Sequence, residues 1–294
     1  MAKTYKRTIA ALMSDSHAGH ELGLLNPETE FELDDGQKFF ATLNPVQEHL
    51  WDDVYLPGID QIVALADGDE IVLFHIGDIS QGGKYITEAS YDGIAYQTDI
   101  AINNFKPWFE HPKVKKKKNI KKLRIAKGTP SHNFGKGGAE IIAKSLLRGI
   151  YPKVNVNALY HGLATMAGIT IDYAHHGPNQ SIRKWLEGNN ARYYLRDIMM
   201  KEILAKRNPP TLVLRGHYHT YVKETLWIGG EVEDYESILI VVPSLCMIDE
   251  YARQVTRSTY QITNGMIAVE IIDGQIYKAH KFAETIDIRT KETL

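Results

Sequence analysis

Residues 8–17 read TIAALMSDSH, an apolar run that leads directly into Asp15 and His17. The run is short and almost wholly apolar, which predicts a buried β-strand over residues 8–13. Similar runs predict four more buried strands, over residues 70–76, 123–126, 169–174 and 211–214. Segments with helical spacing separate most of these strands, and this alternation is typical of an α/β domain.

Each of the five predicted strands ends in a short motif that contains an aspartate or a histidine. The motifs are SDSH at 14–17, GD at 77–78, GTPSHN at 128–133, HHGP at 175–178 and GHYH at 216–219. Each motif is weak by itself, because Asp15 could cap a helix and Gly77-Asp78 could form an ordinary turn. In an open α/β sheet, however, the carboxyl ends of the strands converge on one crevice. The repetition therefore predicts that these side chains meet at one site.

The remaining segments predict one domain over residues 1–294 with a mixed core of two sheets. Pro57-Gly58 should kink or break the first predicted helix midway. Residues 222–294 form a β-rich C-terminal part, with hairpin turns expected at Asn264-Gly265 and Asp273-Gly274. The predicted helices cover 45–66, 91–109, 138–147 and 181–206, and the C-terminal strands cover 221–227, 237–242, 260–263, 266–272 and 275–282.

The composition is that of an ordinary globular protein. Hydrophobic residues make up 44% of the 294 residues, charged residues 24%, and the net charge is -2, so the whole molecule has no bias towards polyanions. The single cysteine, Cys246, excludes an internal disulfide, and no apolar stretch is long enough to span a membrane. We expect a cytoplasmic protein with no membrane partner. The sequence does not indicate an oligomeric state.

Aspartate and histidine together indicate a metal site. Carboxylate oxygens and imidazole nitrogens suit manganese, iron, zinc or nickel. One carboxylate can bridge two cations about 3.5–4 Å apart, as in two-metal phosphatases and nucleases. We therefore expect two divalent metal ions, with manganese as the first choice and iron, zinc or nickel as alternatives.

The linear order of the five motifs is similar to that of the calcineurin-like metallophosphoesterase superfamily. The similarity runs from Asp15 to His219, about two-thirds of the chain, and four of the five blocks match closely. The resemblance implies an α/β fold of four layers, an αββα sandwich in which two mixed β-sheets pack face to face and helices flank them. It also implies a metal-dependent phosphoric ester hydrolase.

Carried over residue by residue, the resemblance implies two groups of metal ligands. Asp15, His17 and His219 would bind one metal, and Asp78 would bridge the two. His176, the histidine directly before the glycine, and His217 would bind the second metal. The resemblance then leaves His175 as a group that supports the ligands or faces the substrate, and His20 is a further candidate because it is close to Asp15 in sequence.

The third block, GTPSHN at residues 128–133, departs from the family pattern. The usual form is Gly-Asn-His, in which Asn binds the second metal and His contacts the leaving group. Here Thr129 follows the glycine and His132 arrives three residues later. The missing ligand could be Thr129, Asn133 or a water molecule, and His132 remains the candidate for the leaving-group histidine.

This set of residues implies a phosphoesterase mechanism. A water held between the cations loses a proton and attacks phosphorus in line, and His132 protonates the departing oxygen. Protein phosphatases of the superfamily carry Asp-Arg-Gly after the Gly-Asp block, whereas residues 79–83 read ISQGG. We therefore expect a phosphodiesterase or nuclease acting on nucleotides or nucleic acid. The alternatives are a phosphomonoesterase of a small molecule and a metal- or nucleic-acid-binding module that has lost catalysis.

A basic run precedes the third block. Residues 113–127, from Lys113 to Lys127, contain eight lysines and Arg124. Such a run is usually a solvated loop, in this case ahead of an edge strand. Because it leads into the expected site, it could also attract a nucleic acid. Tyr91, Tyr96, Tyr193 and Tyr194 could stack bases, although tyrosines on helices more often fill a core.

Overall fold

The protein contains two β-sheets packed face to face, with helices on both outer surfaces, so the predicted four-layer sandwich is confirmed. The computed structural model describes residues 6–33, 35–84, 86–178, 187–229, 234–248 and 260–292. The strands along the chain are β1 (Thr8–Met13), β2 (Glu30–Glu32), β3 (Lys38–Phe40), β4 (Glu70–His75), β5 (Ile120–Ala126), β6 (Asn155–Leu159), β7 (His161–Met166), β8 (Ile169–Ala174), β9 (Leu212–Arg215), β10 (Val222–Gly229), β11 (Asp234–Val241), β12 (Gln261–Ile272) and β13 (Gln275–Asp287).

The helices lie mostly between these strands, as the alternating pattern predicts. They are α1 (Pro45–Glu48), α2 (Leu56–Ala66), α3 (Ile94–Glu110), α4 (Pro112–Lys117), α5 (Gly138–Ile150) and α6 (Glu187–Leu204), with a π-helical segment over His49–Tyr55 and a short 3₁₀ turn over Ile86–Glu88. Residues 181–186, which the sequence assigns to the start of α6, lie outside the described residues. None of the helices in the described ranges is long and apolar enough to cross a membrane.

Parallel strands form the centre of both sheets. The first sheet has the order β13-β12-β1-β4-β5-β6, and its strands β1, β4, β5 and β6 run parallel. The second sheet has the order β10-β11-β9-β8-β7, in which β8, β9 and β11 run parallel. Because the parallel strands of a sheet end at the same edge, the loops after β1, β4 and β5 lie side by side, as do those after β8 and β9.

The core is divided between three apolar layers. The inner layer lies between the sheets and includes Leu12, Phe74 and Leu214. A second layer packs α2, α3 and α5 against the first sheet, and α6 covers the second sheet through Leu195 and Met199. On β1, successive side chains alternate between the two faces of the sheet, so both faces are apolar. This explains why the sequence of β1 is a continuous apolar run.

The helix predicted over residues 45–66 does not end at Pro57-Gly58. Instead, it widens into the π-helical segment before the proline, where the Leu56 N–H donates to the Trp51 carbonyl oxygen five residues earlier. A π turn shifts the hydrogen-bond register, so the chain can accept Pro57 near the start of α2 without stopping. The predicted end of this helix at residue 66 is confirmed, because Asp67 and Gly68 adopt left-handed conformations directly after Ala66.

The prediction of a hairpin turn at Asn264-Gly265 is wrong, because both residues lie inside the single long strand β12. The Asn264 amide donates to the carbonyl oxygens of Ser244 and Cys246, so it anchors a neighbouring loop rather than forming a turn. Gly265 lets β13 approach closely. The turn at Asp273-Gly274 is confirmed, since β12 and β13 pair directly across it.

The basic run at residues 113–127 is not a loop ahead of an edge strand. Its first part forms α4, and its second part forms β5, which lies between β4 and β6 inside the first sheet. The lysines of α4 are therefore at the amino end of β5. Only Lys127 stands beside the Gly128 block at the carboxyl end of that strand.

We expect Gly265→Ala to destabilise the pairing of β12 with β13. The backbone φ of Gly265 is 139°, and a Cβ there would lie 2.5 Å from the Ala283 Cα. The free energy of unfolding in urea should fall by about 2 kcal/mol or more. Gly149→Ala is the matched control, because a Cβ at that helical position meets nothing within 4 Å, and its stability should stay equal or rise by up to about 1 kcal/mol. Equal stability of the two variants would contradict this account of β12.

Candidate metal centre

The five motifs converge at one edge of the sandwich. Asp15 and His17 follow β1, Asp78 follows β4 and Thr129 follows β5, all in the first sheet. The second sheet contributes the histidines after β8 and β9. Hydrogen bonds join the two sets across the sandwich: the His217 N–H donates to Asp15 Oδ2 at 3.1 Å, and His175 Nδ1 donates to the Ile76 carbonyl oxygen at 2.6 Å.

The backbone turns sharply at these strand ends. Five of the site residues adopt left-handed conformations with positive φ, although none is glycine: Asp15, His17, Asp78, His217 and His219. Such a conformation costs about 1–2 kcal/mol for an ordinary residue. Backbone hydrogen bonds hold the turns in place, from the Asp15 N–H to the Gly77 carbonyl and from the His17 N–H to the Asp78 carbonyl, both at 3.0 Å. Strain of this kind concentrates at functional sites, where the surrounding structure maintains it.

Asp15, His17 and His219 form the first group of potential ligands, as the resemblance implies. The Nε2 atoms of His17 and His219 lie 3.9 and 3.6 Å from Asp15 Oδ1. Asp15 Oδ1 and His17 Nε2 are buried without a hydrogen-bond partner, so both face inward with a free lone pair or proton. Gln81 Oε1 holds the other nitrogen of His17, Nδ1, at 3.0 Å, which orients Nε2 towards the group.

Asp15, Asp78 and His175 form the second group, and all three side chains are buried. His175 Nε2 lies 2.9 Å from Asp78 Oδ2. Burial alone would lower the pKa of His175, but the carboxylates of Asp78 and Asp15 raise the pKa to about 9. Burial opposes ionisation of both carboxyls as well, yet His175 keeps the pKa of Asp15 and of Asp78 below the ordinary value. The site therefore favours two negative charges beside a positive one.

His175, His176 and His217 form the third group. Their ring centroids lie 4.8–5.1 Å apart. Burial lowers the pKa of His217 to about 4, so its imidazole is neutral, as a metal ligand must be. His176 is exposed, whereas His175 is buried against the carboxylates. The assignment of His176 to the second metal and of His175 to a supporting role stays a prediction, and the structure adds His175 to the potential ligands.

Thr129 forms two hydrogen bonds with the Asp78 carboxylate. Its N–H donates to Asp78 Oδ1 at 2.6 Å, and its hydroxyl donates to Oδ2 at 3.1 Å. The same hydroxyl is 3.5 Å from His217 Nδ1, so it lies between the Asp78 carboxylate and the third group. Asn133 instead donates to the Gly128 carbonyl oxygen at 3.2 Å and so supports the loop. Of the two residues, Thr129 is in contact with a potential ligand.

His132 and His20 both lie near the ring of His17. The His132 ring centroid is 4.7 Å from that of His17, and His132 Nδ1 lies 2.8 Å from the Gln81 carbonyl oxygen. His20 is farther, at 6.3 Å, and its Nδ1 accepts a hydrogen bond from the Leu22 N–H. His132 is therefore part of the site, while His20 belongs to none of the three ligand groups.

Sequence reasoning missed three residues that support these side chains. Ser14 donates to Asp15 Oδ2, and Gln81 holds both His17 and His132. Glu140, near the start of α5, accepts a hydrogen bond from the Gly128 N–H at 2.9 Å. It is fully buried, and burial raises its pKa to about 7. The helical pattern of the sequence does not predict the contact between Glu140 and Gly128. A buried acidic residue on a helix is nevertheless unusual.

The donor set fits divalent metal ions. In each of the three groups the potential ligand atoms lie within 4.8 Å of one another. The donors are carboxylate oxygens and imidazole nitrogens, which suit borderline transition metals. A buried carboxylate oxygen without a partner, Asp15 Oδ1, is an atom that a cation would satisfy. The site can therefore hold a divalent metal.

No family model matches the chain, and no curated protein matches it. Among solved structures, the chain is similar to an archaeal phosphodiesterase, with 13% identity over 90% of this chain and 99% of the other, and a TM-score of 0.36. It is also similar to a single mutant of Vps29 from Entamoeba histolytica, with 11% identity over 96% and 99% of the two chains and a TM-score of 0.32. A protein of unknown function from Aquifex aeolicus shows 15% identity over 72% and 80%, with a TM-score of 0.29.

The fold is defined by the layers and strand order of the chain itself. The four layers and the order of the motifs at the strand ends match the calcineurin-like metallophosphoesterase pattern that the sequence resembles. The departure in the third block is also present in the structure, where Thr129 takes the position after the glycine and contacts Asp78.

We expect Gly128→Ala to abolish high-affinity metal binding. A Cβ at this position would fall on the Asp78 side chain and 2.9 Å from the Asp78 Cα, so Asp78 must move. Metal content per chain should drop at least about tenfold, measured by plasma mass spectrometry after dialysis against Mn²⁺ on the order of 10 µM. Gly83→Ala is the control, because its Cβ makes only ordinary contacts. Full metal content in Gly128→Ala would contradict the position of Asp78.

We expect Glu140 to stabilise the Gly128 loop through its hydrogen bond. Glu140→Ala leaves the Gly128 N–H buried without an acceptor, which should cost about 1–3 kcal/mol of unfolding free energy. Glu140→Gln retains an acceptor oxygen and should lose less than half of that amount. Chemical denaturation of both variants tests this. If Glu140→Gln is as unstable as Glu140→Ala, the hydrogen bond is not the cause.

Proposed function

We propose that the protein is a phosphoesterase that uses two divalent metal ions, and that its substrate is a phosphodiester of a nucleotide or nucleic acid. One observation carries the proposal: Asp15 and Asp78 are buried together with His175, and further histidines stand on both sides of them. A shared carboxylate between two sets of ligands is the arrangement that two-metal phosphoester hydrolysis needs. Manganese remains the first choice for the metals.

When bound, the two cations would neutralise charge on the phosphoryl oxygens and lower the pKa of a bound water. Asp78 would bridge them, since Asp15 and His175 both adjoin it. Asp15, His17 and His219 would hold one ion. His217, with His175 or His176, would hold the other, and Thr129 would fix the bridging carboxylate through two hydrogen bonds.

His132 is the proposed group that protonates the leaving oxygen. The Gln81 carbonyl oxygen can only accept, so it keeps a proton on His132 Nδ1. The imidazolium form of His132 would therefore transfer its Nε2 proton to the leaving oxygen and keep the Nδ1 proton hydrogen-bonded to Gln81. The ring centroid of His17 lies 4.7 Å from that of His132, which supports a role for His132 beside the first group of ligands. General acid catalysis of this kind contributes about 10²–10⁴-fold in rate.

The substrate proposal rests on the residues after Asp78. Gln81 lies in the segment where protein phosphatases carry an arginine. Its side-chain oxygen is hydrogen-bonded to His17, and its backbone carbonyl oxygen is hydrogen-bonded to His132. A phosphodiester, which carries less charge than a monoester, places less demand on such an arginine. The lysines of α4 lie at the far end of β5, about 20 Å away at 3.3 Å per residue. A nucleic acid that uses Lys113–Lys127 would therefore have to extend along the sheet.

Two other functions remain as alternatives, a phosphomonoesterase of a small molecule and a binding module without catalysis. The second is favoured by one observation, the hydroxyl of Thr129 in place of the amide ligand that the resemblance implies. The cytoplasmic location expected from the sequence stays a prediction.

We expect Asp78→Asn and His132→Ala to remove hydrolysis of bis-p-nitrophenyl phosphate in the presence of Mn²⁺. Asp78→Asn should lower kcat/KM by more than about 10³-fold and reduce metal content, because the bridging charge is lost. His132→Ala should lower kcat about 10²–10⁴-fold while metal content is retained.

His280→Ala is the matched control for histidine loss, because His280 pairs with Glu270 on the outer strands of the first sheet. Its activity should equal that of the unmodified protein. Full activity in Asp78→Asn would overturn the proposed metal centre. Metal binding by the unmodified protein without hydrolysis of mono- or diesters would instead support the binding module.

A further inference from the structure

A shallow surface cavity of about 490 Å³, largely open to solvent, lies beside the metal centre. Its walls come from two segments, residues 83–84 and residues 129–135, and Thr129 belongs both to the wall and to the site. The volume is within the range of pockets that bind small molecules and cofactors. A phosphoester that reaches the metals therefore has room for one of its substituents in this cavity.

The two walls are fixed to each other and to the core. Ser80 donates to the His132 carbonyl oxygen at 2.6 Å, which links the segment after Asp78 to the GTPSHN loop. The Gln97 side chain, from α3, forms two hydrogen bonds with the backbone of Gly82 at 2.7 and 3.1 Å. The cavity is therefore built by anchored backbone rather than by a loop that must fold over a ligand.

The lining has the chemistry of a site for a flat apolar group. Phe134 is half-buried. Its ring faces Gly83, because a Cβ built on Gly83 would lie 3.5 Å from the Phe134 Cε1 atom. Pro130 adds a second apolar surface, and Lys84 contributes a positive charge. None of the seven lining residues in the described part of the chain carries a negative charge. The apolar walls match an aromatic ring attached to a phosphate.

The backbone of Phe134 adopts an unfavourable left-handed conformation. Its φ is 52°, and Gly135, Lys136 and Gly137 after it also have positive φ. A left-handed conformation is uncommon for an aromatic residue. The turn presents the Phe134 ring to the cavity while the ring keeps contact with the core. The tyrosines that could stack bases are placed differently, since Tyr91 and Tyr96 pack on Phe31.

We propose that this cavity binds the nucleobase of a nucleotide whose phosphate occupies the metal centre, with Phe134 as the stacking surface. The inference rests on the proposed function and specifies its substrate class. Stacking of a base on an aromatic side chain does not depend strongly on the identity of the base. The cavity would therefore select nucleotides from other phosphoesters without selecting one sequence.

The test compares binding of thymidine 5′-monophosphate with binding of methyl phosphate to the Mn²⁺-loaded protein, by titration calorimetry. The nucleoside should tighten binding on the order of 10- to 100-fold. Phe134→Leu, which keeps an apolar side chain, should remove most of this preference and leave the Kd of methyl phosphate unchanged. Phe134→Tyr keeps the flat ring and should retain it. Phe40→Leu, at an exposed phenylalanine of β3, is the matched control.

Equal binding of the two ligands, or a preference that survives in Phe134→Leu, would overturn the inference. Hydrolysis of bis-p-nitrophenyl phosphate by the same preparations separates it from the proposed function. Hydrolysis without any preference for the nucleoside rejects the nucleobase site alone. A preference that depends on Phe134 without hydrolysis supports the nucleobase site and rejects the enzyme.

Discussion

The structure depends on keeping two carboxylates buried next to each other. Asp15 and Asp78 are 0% and 1% exposed, and a buried charge without compensation costs several kcal/mol. The protein compensates with contacts from four separate segments: hydrogen bonds from the hydroxyl of Ser14, the N–H and hydroxyl of Thr129 and the N–H of His217, and the ion pair with the imidazole of His175. Only a tightly folded chain brings these donors together, so the site and the fold stabilise each other.

The same contacts connect the two sheets. Asp15 belongs to the first sheet and accepts from the His217 backbone of the second, while His175 of the second sheet donates to the Ile76 carbonyl of the first. The inner apolar layer determines that the sheets pack, but apolar contacts alone do not determine how far one sheet slides over the other. Short polar contacts at one edge restrict that freedom. The potential metal ligands thus depend on a sandwich whose geometry they help to define.

Much of this site follows from local patterns, and the rest depends on register and distant contacts. The five strands end where their apolar runs end, so the position of the motifs could be predicted. The motif does not show which of His175 and His176 is buried, yet β8 contains a signal for it. Ile169, Ile171 and Tyr173 are buried in the inner layer, and the two-residue period places His175 on the same side. Gln81 and Glu140 gave no such signal, since their partners are 64 and 12 residues away in the chain.

The third block shows how a departure from the family pattern changes the site without dismantling it. The Gly128 backbone must pass so close to Asp78 that no side chain fits there, which fixes the start of the loop. His132 must still lie beside His17, which fixes the end. The extra residues between these two fixed points cannot enter the ligand groups, so they turn outward, and Pro130 and Ser131 become part of the cavity wall. The segment that stands where the resemblance implies an amide ligand therefore also lines the cavity. In the proposed function, the metal centre would determine the kind of bond that is broken, and this loop would determine which molecules present that bond.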